Sequence, residues 1–255
     1  METIVSIAIP VVFLIMLVVE RLIPGRALPK VRFWLTKGFV FFIFTAVVNA
    51  LVPALLAEAL GDRTLLHLQG LGTVAGALVG VLVGDLAGYW IHRTMHSFPT
   101  LWRWSHQMHH SAERMDLAGM GYAHPFDTFL SFGLGGLVTF LLGLSPDAAA
   151  LAGLVMYLGA VAQHSNIKTP SWLGYVVYRP EAHGLHHASG VHAYNYANFP
   201  FWDLVFRTFK NPADFPETYG FYPGASARMG AMLMGRDVGE PESVQRTASN
   251  VAAVA

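Results

Sequence analysis

The chain has 255 residues, of which 54% are hydrophobic and 13% are charged, whereas a soluble domain carries roughly a quarter charged residues. This composition excludes an ordinary water-soluble domain. The 16 basic and 16 acidic residues balance, so there is no basic surplus to neutralise a phosphate backbone and we expect no nucleic-acid partner. The lack of cysteine excludes disulfides, thiolate-ligated haem, Cys-ligated iron–sulfur clusters and zinc sites with Cys ligands.

Uncharged or nearly uncharged runs predict an all-α integral membrane protein with four to five transmembrane helices. A helix of about 20 residues crosses a bilayer core, and so many apolar runs exceed what a soluble core would use. The predicted spans lie near residues 3–19, 38–57, 69–91, 128–146 and 148–163. The last two are short and nearly joined, so a tight hairpin that barely crosses is the alternative. Met1-Glu2 offers no basic segment before the first run, which argues against a signal peptide.

Five spans sort the loops onto two faces of the membrane. Of the 16 Lys and Arg residues, 15 fall on the face that carries residues 20–37, 92–127 and 164–255, and only Arg63 falls on the other. Basic loops are retained in the cytoplasm, so we predict that this first face is cytoplasmic. Eleven of the 12 histidines lie on the same face or at a helix end opening onto it, and only His67 faces away. The sequence therefore predicts a cytoplasmic, histidine-rich helical cap on a membrane anchor.

We expect a single membrane-embedded domain over residues 1–224, with the cap formed by residues 92–127 and 164–224. Residues 225–255 are rich in Ala, Gly, Met and Ser and lack a sustained periodicity. They predict a flexible tail that adds little to the fold.

Three histidine clusters stand in the cap-side segments. They are His92-Arg-Thr-Met-His96, His106-Gln-Met-His109-His110 and His183-Gly-Leu-His186-His187. Residues four apart share one face of a helix, so His92 and His96 are expected to aim two imidazoles at one point. The first histidine of each HxxHH cluster is expected to pair in the same way with those three and four positions on. Eight imidazoles exceed the ligand number of one tetrahedral or octahedral ion, so two metal ions are predicted.

Single histidines on the same side of the membrane are further candidates. His124, which precedes Pro125, and His164, which ends the last span, are predicted to complete the ligand set. His192 is a candidate for a ligand, for a support of the ligands or for a substrate contact. His67 is not expected to bind metal.

Asp85, Tyr89, His92 and His96 follow steps of four, three and four residues and share a stripe on the third span. An acid inside a membrane span is costly and by default indicates function. At about 1.5 Å per residue, Asp85 lies two turns from His92 and cannot orient that ring directly. We therefore predict that Asp85 supports an imidazole from another helix or lines a substrate channel, and a structural interhelical hydrogen bond is the alternative.

Imidazole ligands without thiolate leave zinc, iron, copper and nickel open. A zinc hydrolase is disfavoured, because the HExxH motif is absent and no carboxylate lies inside a cluster as a ready general base. Bis-histidine haem would need two ligands on facing helices and not eight in tandem groups.

The motifs, in order, resemble the fatty acid hydroxylase and sterol desaturase superfamily of membrane-bound di-iron oxygenases. They are WIHRTMHSFPTLWRWSHQMHHSAERM, HP, QHSN, PEAHGLHH and NYANFPFWDLVFRTF, within residues 80–210. The resemblance implies metal ligands at His92, His96, His106, His109, His110, His164, His183, His186 and His187, with His124 added. It also implies a closing motif that supports the site, with Asn195, Tyr196, Trp202 and Asp203. The chain departs from the superfamily at Ala197 and Arg207, where glycine is usual, and at Tyr122, where arginine is usual.

The resemblance implies O₂ activation at two iron ions and hydroxylation or desaturation of a C–H bond of a membrane lipid. Sterol, fatty acyl, ether-lipid and carotenoid substrates all stay open, as does the oligomeric state. Zinc can occupy such a site in purified protein, because it binds more tightly than ferrous iron. The chain has no dinucleotide fingerprint and no cysteine for an iron–sulfur cluster, so we expect a separate electron donor of ferredoxin or cytochrome type with a reductase.

A histidine-rich membrane protein that handles metal without oxygenase activity is the competing hypothesis. Such a protein is expected to place histidines along its spans or on both faces, as a path. Here the histidines gather at one end of the predicted bundle, which favours the oxygenase.

Overall fold

The computed structural model describes residues 1–61 and 63–241. This part of the chain is helical, and its only β-pairing is an isolated bridge between Ala188 and Tyr219. In chain order the α-helices are α1 Glu2–Leu22, α2 Trp34–Leu60, α3 Gly72–Ser97, α4 Pro99–Leu101, α5 Gln107–His110, α6 Pro125–Leu142, α7 Pro146–His164, α8 Pro180–His186, α9 Pro200–Val205 and α10 Met229–Leu233. Short 3₁₀ turns cover Leu68–Leu71, Leu117–Gly119, Ser171–Tyr175 and Ala225–Arg228.

Five of these helices are long and apolar enough to cross a membrane: α1, α2, α3 with its preceding 3₁₀ turn, α6 and α7. This finding confirms five candidate spans by length and composition. Only 11% to 28% of the residues in their most apolar windows are buried inside the protein. Apolar helices that expose most of their surface cannot form the core of a soluble domain, so the chain is an integral membrane protein.

Small residues bring α3 and α7 close together at the end of the bundle away from the histidines. A Cβ atom added at Gly76 would lie 2.9 Å from the Cβ of Ala148, and one added at Gly80 would lie 3.0 Å from that of Ala152. Such close approach is the usual basis of helix association in membranes, where packing replaces the hydrophobic effect. The two helices therefore pack closely against each other as they run toward the cap.

Local signals in the sequence determine where α6 and α7 begin. The side chains of His124 and Ser145 accept hydrogen bonds from Phe126 N and Ala148 N, and each residue is followed by proline at the first helical position. These are N-caps with a preset φ angle at the next residue. Between the two helices, Gly143 adopts a left-handed φ of 62°, so the connection is short, and α6 and α7 both pack against α3.

The predicted flexible tail is wrong for residues 225–241. Ala225, Met232 and Val238 are fully buried, and the last two belong to a core cluster around Tyr122. The Gln107 side chain also donates to Arg236 O and accepts from Val238 N. Aliphatic side chains that lack periodicity still pack when a cap surface is available to receive them, and this segment closes the cap. Residues 242–255, the rest of the predicted tail, lie outside the described residues.

Candidate metal centre

Nine of the ten predicted ligands come together in two adjoining groups whose nitrogen atoms lie within 4.8 Å of one another in each group. The five-histidine group consists of His92, His96, His106, His110 and His186. The four-histidine group consists of His109, His164, His183 and His187. The rings of His110 and His187 stack across the boundary with centroids 4.1 Å apart. The arrangement supports the prediction of two metal sites side by side.

The HxxHH clusters are shared between the groups in a way that corrects the sequence prediction. Within each cluster the two histidines four residues apart belong to the same group, as His106 does with His110 and His183 with His187. The histidine three residues after the first one, His109 or His186, belongs to the other group. Adjacent residues of a helix point about 100° apart, so the imidazoles at positions three and four diverge. Each cluster therefore supplies ligands to both groups instead of aiming three rings at one point.

The spacing of the ring nitrogens fits a shared cation. The Nε2 atom of His92 lies 2.8 Å from that of His106, and the Nε2 atom of His164 lies 3.3 Å from that of His183. Two nitrogens bound at about 2.1 Å to one ion are about 3.0 Å apart at a right angle and about 3.4 Å apart at the tetrahedral angle. The Nε2 atoms of His110 and His186 are buried without a hydrogen-bond partner. A metal ion would satisfy these nitrogens together.

The opposite nitrogens of the rings are held by acceptors. His92 Nδ1 donates to Tyr196 O and His186 Nδ1 donates to Tyr194 O, both at 2.7 Å. In the four-histidine group, His164 Nδ1 donates to Ala160 O at 2.9 Å. A carbonyl only accepts, so these rings carry their proton on Nδ1 and present a bare Nε2 to the centre. Such outer partners orient metal-binding histidines and set their tautomer.

Burial keeps the cap imidazoles uncharged. Loss of solvation lowers the pKa of His109 to about 3. The same cause lowers the pKa well below its usual range at His106, His110, His183, His186 and His187. A metal binds the neutral form of imidazole, so the site is prepared for a cation at neutral pH without first having to lose protons.

His124 is the one predicted ligand that the structure does not bring to the centre. Its Nδ1 accepts from Phe126 N as the N-cap of α6, and its Nε2 lies 3.4 Å from Leu233 O. It belongs to neither histidine group. The structure does not support this ligand, because the position before a helix-starting proline directs the side chain to the helix end.

Three residues contact parts of the chain other than the histidines. We predicted that they support the site or line a channel. The Asp85 carboxylate accepts from Asn198 N and Phe199 N, which precede α9, so its hydrogen bonds go to the backbone of a non-helical segment. Trp202 Nε1 donates to Leu82 O, in the middle of α3. Tyr89 shares a hydrogen bond with Thr208 and receives one from Arg93.

The remaining residues of the predicted closing motif support the ligands through the backbone. Asp203 accepts from Tyr196 N and Ala197 N, and this fixes the carbonyl that holds His92. Asn195 donates to Ala182 O in α8 and to Lys210 O. Arg207 has a φ of 60°, a region that favours glycine, which explains why glycine is usual at that position. Ala197 has no positive φ and needs no glycine.

His192 lies beside the five-histidine group without joining it. Its Nδ1 is 3.0 Å from His110 Nδ1. A cleft of about 240 Å³ is lined by His96, Ser97, Pro99, Trp102 and His192. Burial lowers the pKa of His192 to about 4. The residue therefore supports His110 as a neutral ring and stands at an opening toward the five-histidine group.

Asp127 contacts the five-histidine group and was missed by the sequence reasoning. Its carboxylate lies 2.8 Å from His106 Nδ1 and also accepts from Ser131. It is buried in the first turn of α6. The available signal was an acid three residues after His124 at the start of an apolar span, the same signal that drew attention to Asp85.

Comparison with known proteins identifies the family. The sequence model described as fatty acid hydroxylase matches residues 77–208, which is more than half of the chain and includes all nine histidines of the two groups. The chain therefore belongs to the fatty acid hydroxylase family. No solved structure matches it.

Curated relatives cover several named activities. Ornithine lipid hydroxylase OlsE of Rhizobium tropici is 29% identical over 53% of this chain and 42% of its own length. Very-long-chain aldehyde decarbonylase GL1-9 of Oryza sativa is 30% identical over 51% of this chain and 53% of its own. Sphinganine C4-monooxygenase 1 of Arabidopsis thaliana is 27% identical over 52% of this chain and 53% of its own. The chain thus spans about half the length of these relatives.

Proposed function

We propose that this protein is a membrane-bound oxygenase that hydroxylates, or desaturates, a C–H bond of a lipid at a centre of two iron ions. The observation that carries the proposal is the pair of adjoining histidine groups at one end of a membrane bundle, in a chain of the fatty acid hydroxylase family. Relatives named as an ornithine lipid hydroxylase and a sphinganine C4-monooxygenase support the same class of reaction. Ether lipids and carotenoids are alternative substrates for this chemistry.

Each histidine group would hold one ion. Bound iron would supply O₂ activation and the redox chemistry needed to break an unactivated C–H bond, which no amino-acid side chain provides. The protein's share is to hold the imidazoles in place through the carbonyls of Tyr194 and Tyr196 and the Asp127 carboxylate. Burial of most of the ligand rings, among them His110, His183 and His186, would limit the access of water to the reacting position.

The location of the centre favours a lipid that enters from the bilayer. His92 and His96 lie in the last two turns of α3, and His164 is the last residue of α7. The ligands thus stand where the spans reach the cap. An amphiphile with its headgroup at the interface would bring a chain or ring carbon to this level.

Hydroxylation is the favoured outcome over desaturation. Once one hydrogen has been removed, transfer of the hydroxyl group needs no further positioning of the substrate. Desaturation requires a second hydrogen held close enough to react first. The product of the favoured reaction carries one added oxygen atom.

Electrons for the reaction would come from a separate protein. The sequence has no cysteine for an iron–sulfur cluster and no dinucleotide fingerprint. A ferredoxin or cytochrome-type donor with its reductase would supply the two electrons of each turnover from the cap side.

The cap is proposed to face the cytoplasm, on the basis of the 15 basic residues assigned to that side. The chain has no native thiol, so single cysteines report the orientation cleanly. A membrane-impermeant thiol reagent should label Glu58→Cys in intact cells and Glu240→Cys only after permeabilisation. Both acids are exposed, at opposite ends of the bundle. The reverse pattern would refute the orientation.

The function is tested by comparing the lipids of the native host with and without this gene. Deletion should make one lipid species lose the mass of an oxygen atom, or gain that of two hydrogens. The wild-type gene and His67→Ala should restore the species, and His186→Ala should not. A lipidome unchanged in every class, under aerobic growth with the redox partner present, would contradict the proposal and favour a protein that only handles metal.

A further inference from the structure

The stretch from Tyr196 to Thr208 runs along α3 away from the cap and then returns toward the cap. Tyr196 O accepts from His92 at the cap end, and Asn198 N donates to Asp85, seven residues lower on α3. Trp202 then donates to Leu82 O, and Thr208 reaches Tyr89 again. At about 1.5 Å per residue, the backbone is held at the level of Asp85, about 10 Å from that of His92, and the Trp202 indole reaches the level of Leu82, about 15 Å from it.

This depth lies between the two charged ends of the membrane bundle. Gly76 packs against Ala148, the neighbour of Asp147, so the level of Gly76 marks the end away from the cap. Leu82 is about 9 Å above that level and about 16 Å below Arg93. The hydrocarbon core of a bilayer is about 30 Å thick. The lowest point of the stretch is therefore at membrane depth and not in a cap above it.

The backbone at this depth is bonded as a membrane requires. Asp85 accepts from the amides of Asn198 and Phe199, while Gln163 on α7 donates to Asn198 O. The side-chain amide of Asn198 donates to Met156 O. Non-helical backbone is tolerated inside a membrane only where protein groups satisfy it. This requirement supplies a physical reason for an acid in the middle of α3.

The outer side of the same stretch is apolar and exposed in the part of the chain that the structure describes. Phe201, Leu204 and Val205 on α9 are each about half exposed, and Leu78 and Leu82 are exposed on the part of α3 that the Trp202 indole reaches. We propose that residues 198–205 form a re-entrant segment whose outer face contacts lipid acyl chains. The sequence prediction had placed these residues in the aqueous cap.

The proposal is tested with the full chain in phosphatidylcholine vesicles. Phe201→Cys and Leu204→Cys, each carrying a bimane label, report on the re-entrant segment without removing a buried side chain. Leu78→Cys is the lipid-facing reference, and Glu217→Cys, exposed in the cap, is the water-facing reference. Vesicles with bromine on the acyl chains quench labels in hydrocarbon, whereas iodide quenches labels in water.

Bromine should lower the emission at positions 201 and 204 about twofold, as at position 78, because contact quenching requires the label to lie within the hydrocarbon core. Iodide should act on position 217 and spare these three. Quenching by iodide together with no bromine effect at positions 201 and 204 would overturn the proposal. A bromine effect at only one of the two would also overturn it, since both belong to one face. The readout is independent of metal content and of any catalytic activity.

Discussion

The five-histidine group and the four-histidine group draw on the same two HxxHH clusters in opposite proportions. The five-histidine group takes two residues from the cluster before α6 and one from the cluster on α8. The four-histidine group takes one residue from the cluster before α6 and two from the cluster on α8. The surroundings of the two groups differ more than their ligands do. The five-histidine group has a carboxylate partner in Asp127 and borders the cleft beside His192, whereas in the four-histidine group His109 and His164 donate to main-chain carbonyls.

The comparison teaches that similar ligand sets can be given different access and basicity by their outer contacts. A carboxylate makes its imidazole partner a stronger ligand, and an adjoining cleft lets small molecules approach. Among the described residues, no carboxylate is hydrogen-bonded to a ring of the four-histidine group, which is built on α5, α7 and α8. We expect the five-histidine group to be the one that exchanges ligands and the four-histidine group to be the more inert.

The largest effect is expected from removing one ligand of either group. His186→Ala and His109→Ala should each lower bound metal from two ions to one or fewer and abolish lipid oxidation, and His92→Ala should behave like His186→Ala. Elemental analysis of purified protein measures the metal. His67→Ala is the control, because this exposed side chain lies outside both histidine groups and bonds to Thr64. Full metal content in the variants would remove the basis for both groups.

Asp127→Asn tests whether the carboxylate distinguishes the groups. Loss of an outer carboxylate partner costs about 10- to 100-fold in metal affinity, so one of the two ions should bind that much more weakly while the other is unchanged. Competition with a chelator measures the two affinities. Asp147→Asn is the matched control, an acid in the first turn of the neighbouring span that pairs with the amino terminus. Equal weakening of both ions would show that the groups do not differ in this respect.

His192→Ala is expected to have a smaller effect on the same group. It removes the partner of His110, and a net hydrogen bond of about 1 kcal/mol corresponds to about a fivefold loss of affinity for one ion. A chelator should also withdraw that ion faster, because the cleft becomes wider. Ser97→Ala lines the same cleft without contacting a histidine and should leave both quantities unchanged. A fivefold change in Ser97→Ala would assign the effect to the cleft itself.

His124→Ala should have the smallest effect on the centre. It removes the N-cap of α6, which costs about 1 kcal/mol of stability, and leaves two ions bound. Thermal unfolding in detergent measures the first effect and elemental analysis the second. His124→Asn should restore stability, because asparagine is also a good cap. Loss of an ion in His124→Asn would return this residue to the ligand set.

Much of the site could be predicted from local spacing. His92 and His96 point the same way because a helix repeats every 3.6 residues, and an apolar span carries that helix to the cap. The assignment of His109 and His186 to opposite groups could not be predicted, because a spacing of three or four residues does not say how far two rings diverge toward two separate centres. Asp127 escaped notice because its partner His106 is 21 positions away.

The sequence by itself determined the class of the molecule: apolar runs of membrane length make spans, and imidazoles without thiolates make a metal site of histidines. These properties depend on composition and on contacts within one helix. The tertiary structure alone decided that Asp85 caps backbone amides near Asn198, that His124 caps a helix, and that residues 225–241 pack into the cap. Each of these depends on a surface contributed by a distant part of the chain, and no local pattern specifies which surface a polar side chain or an aliphatic segment will meet.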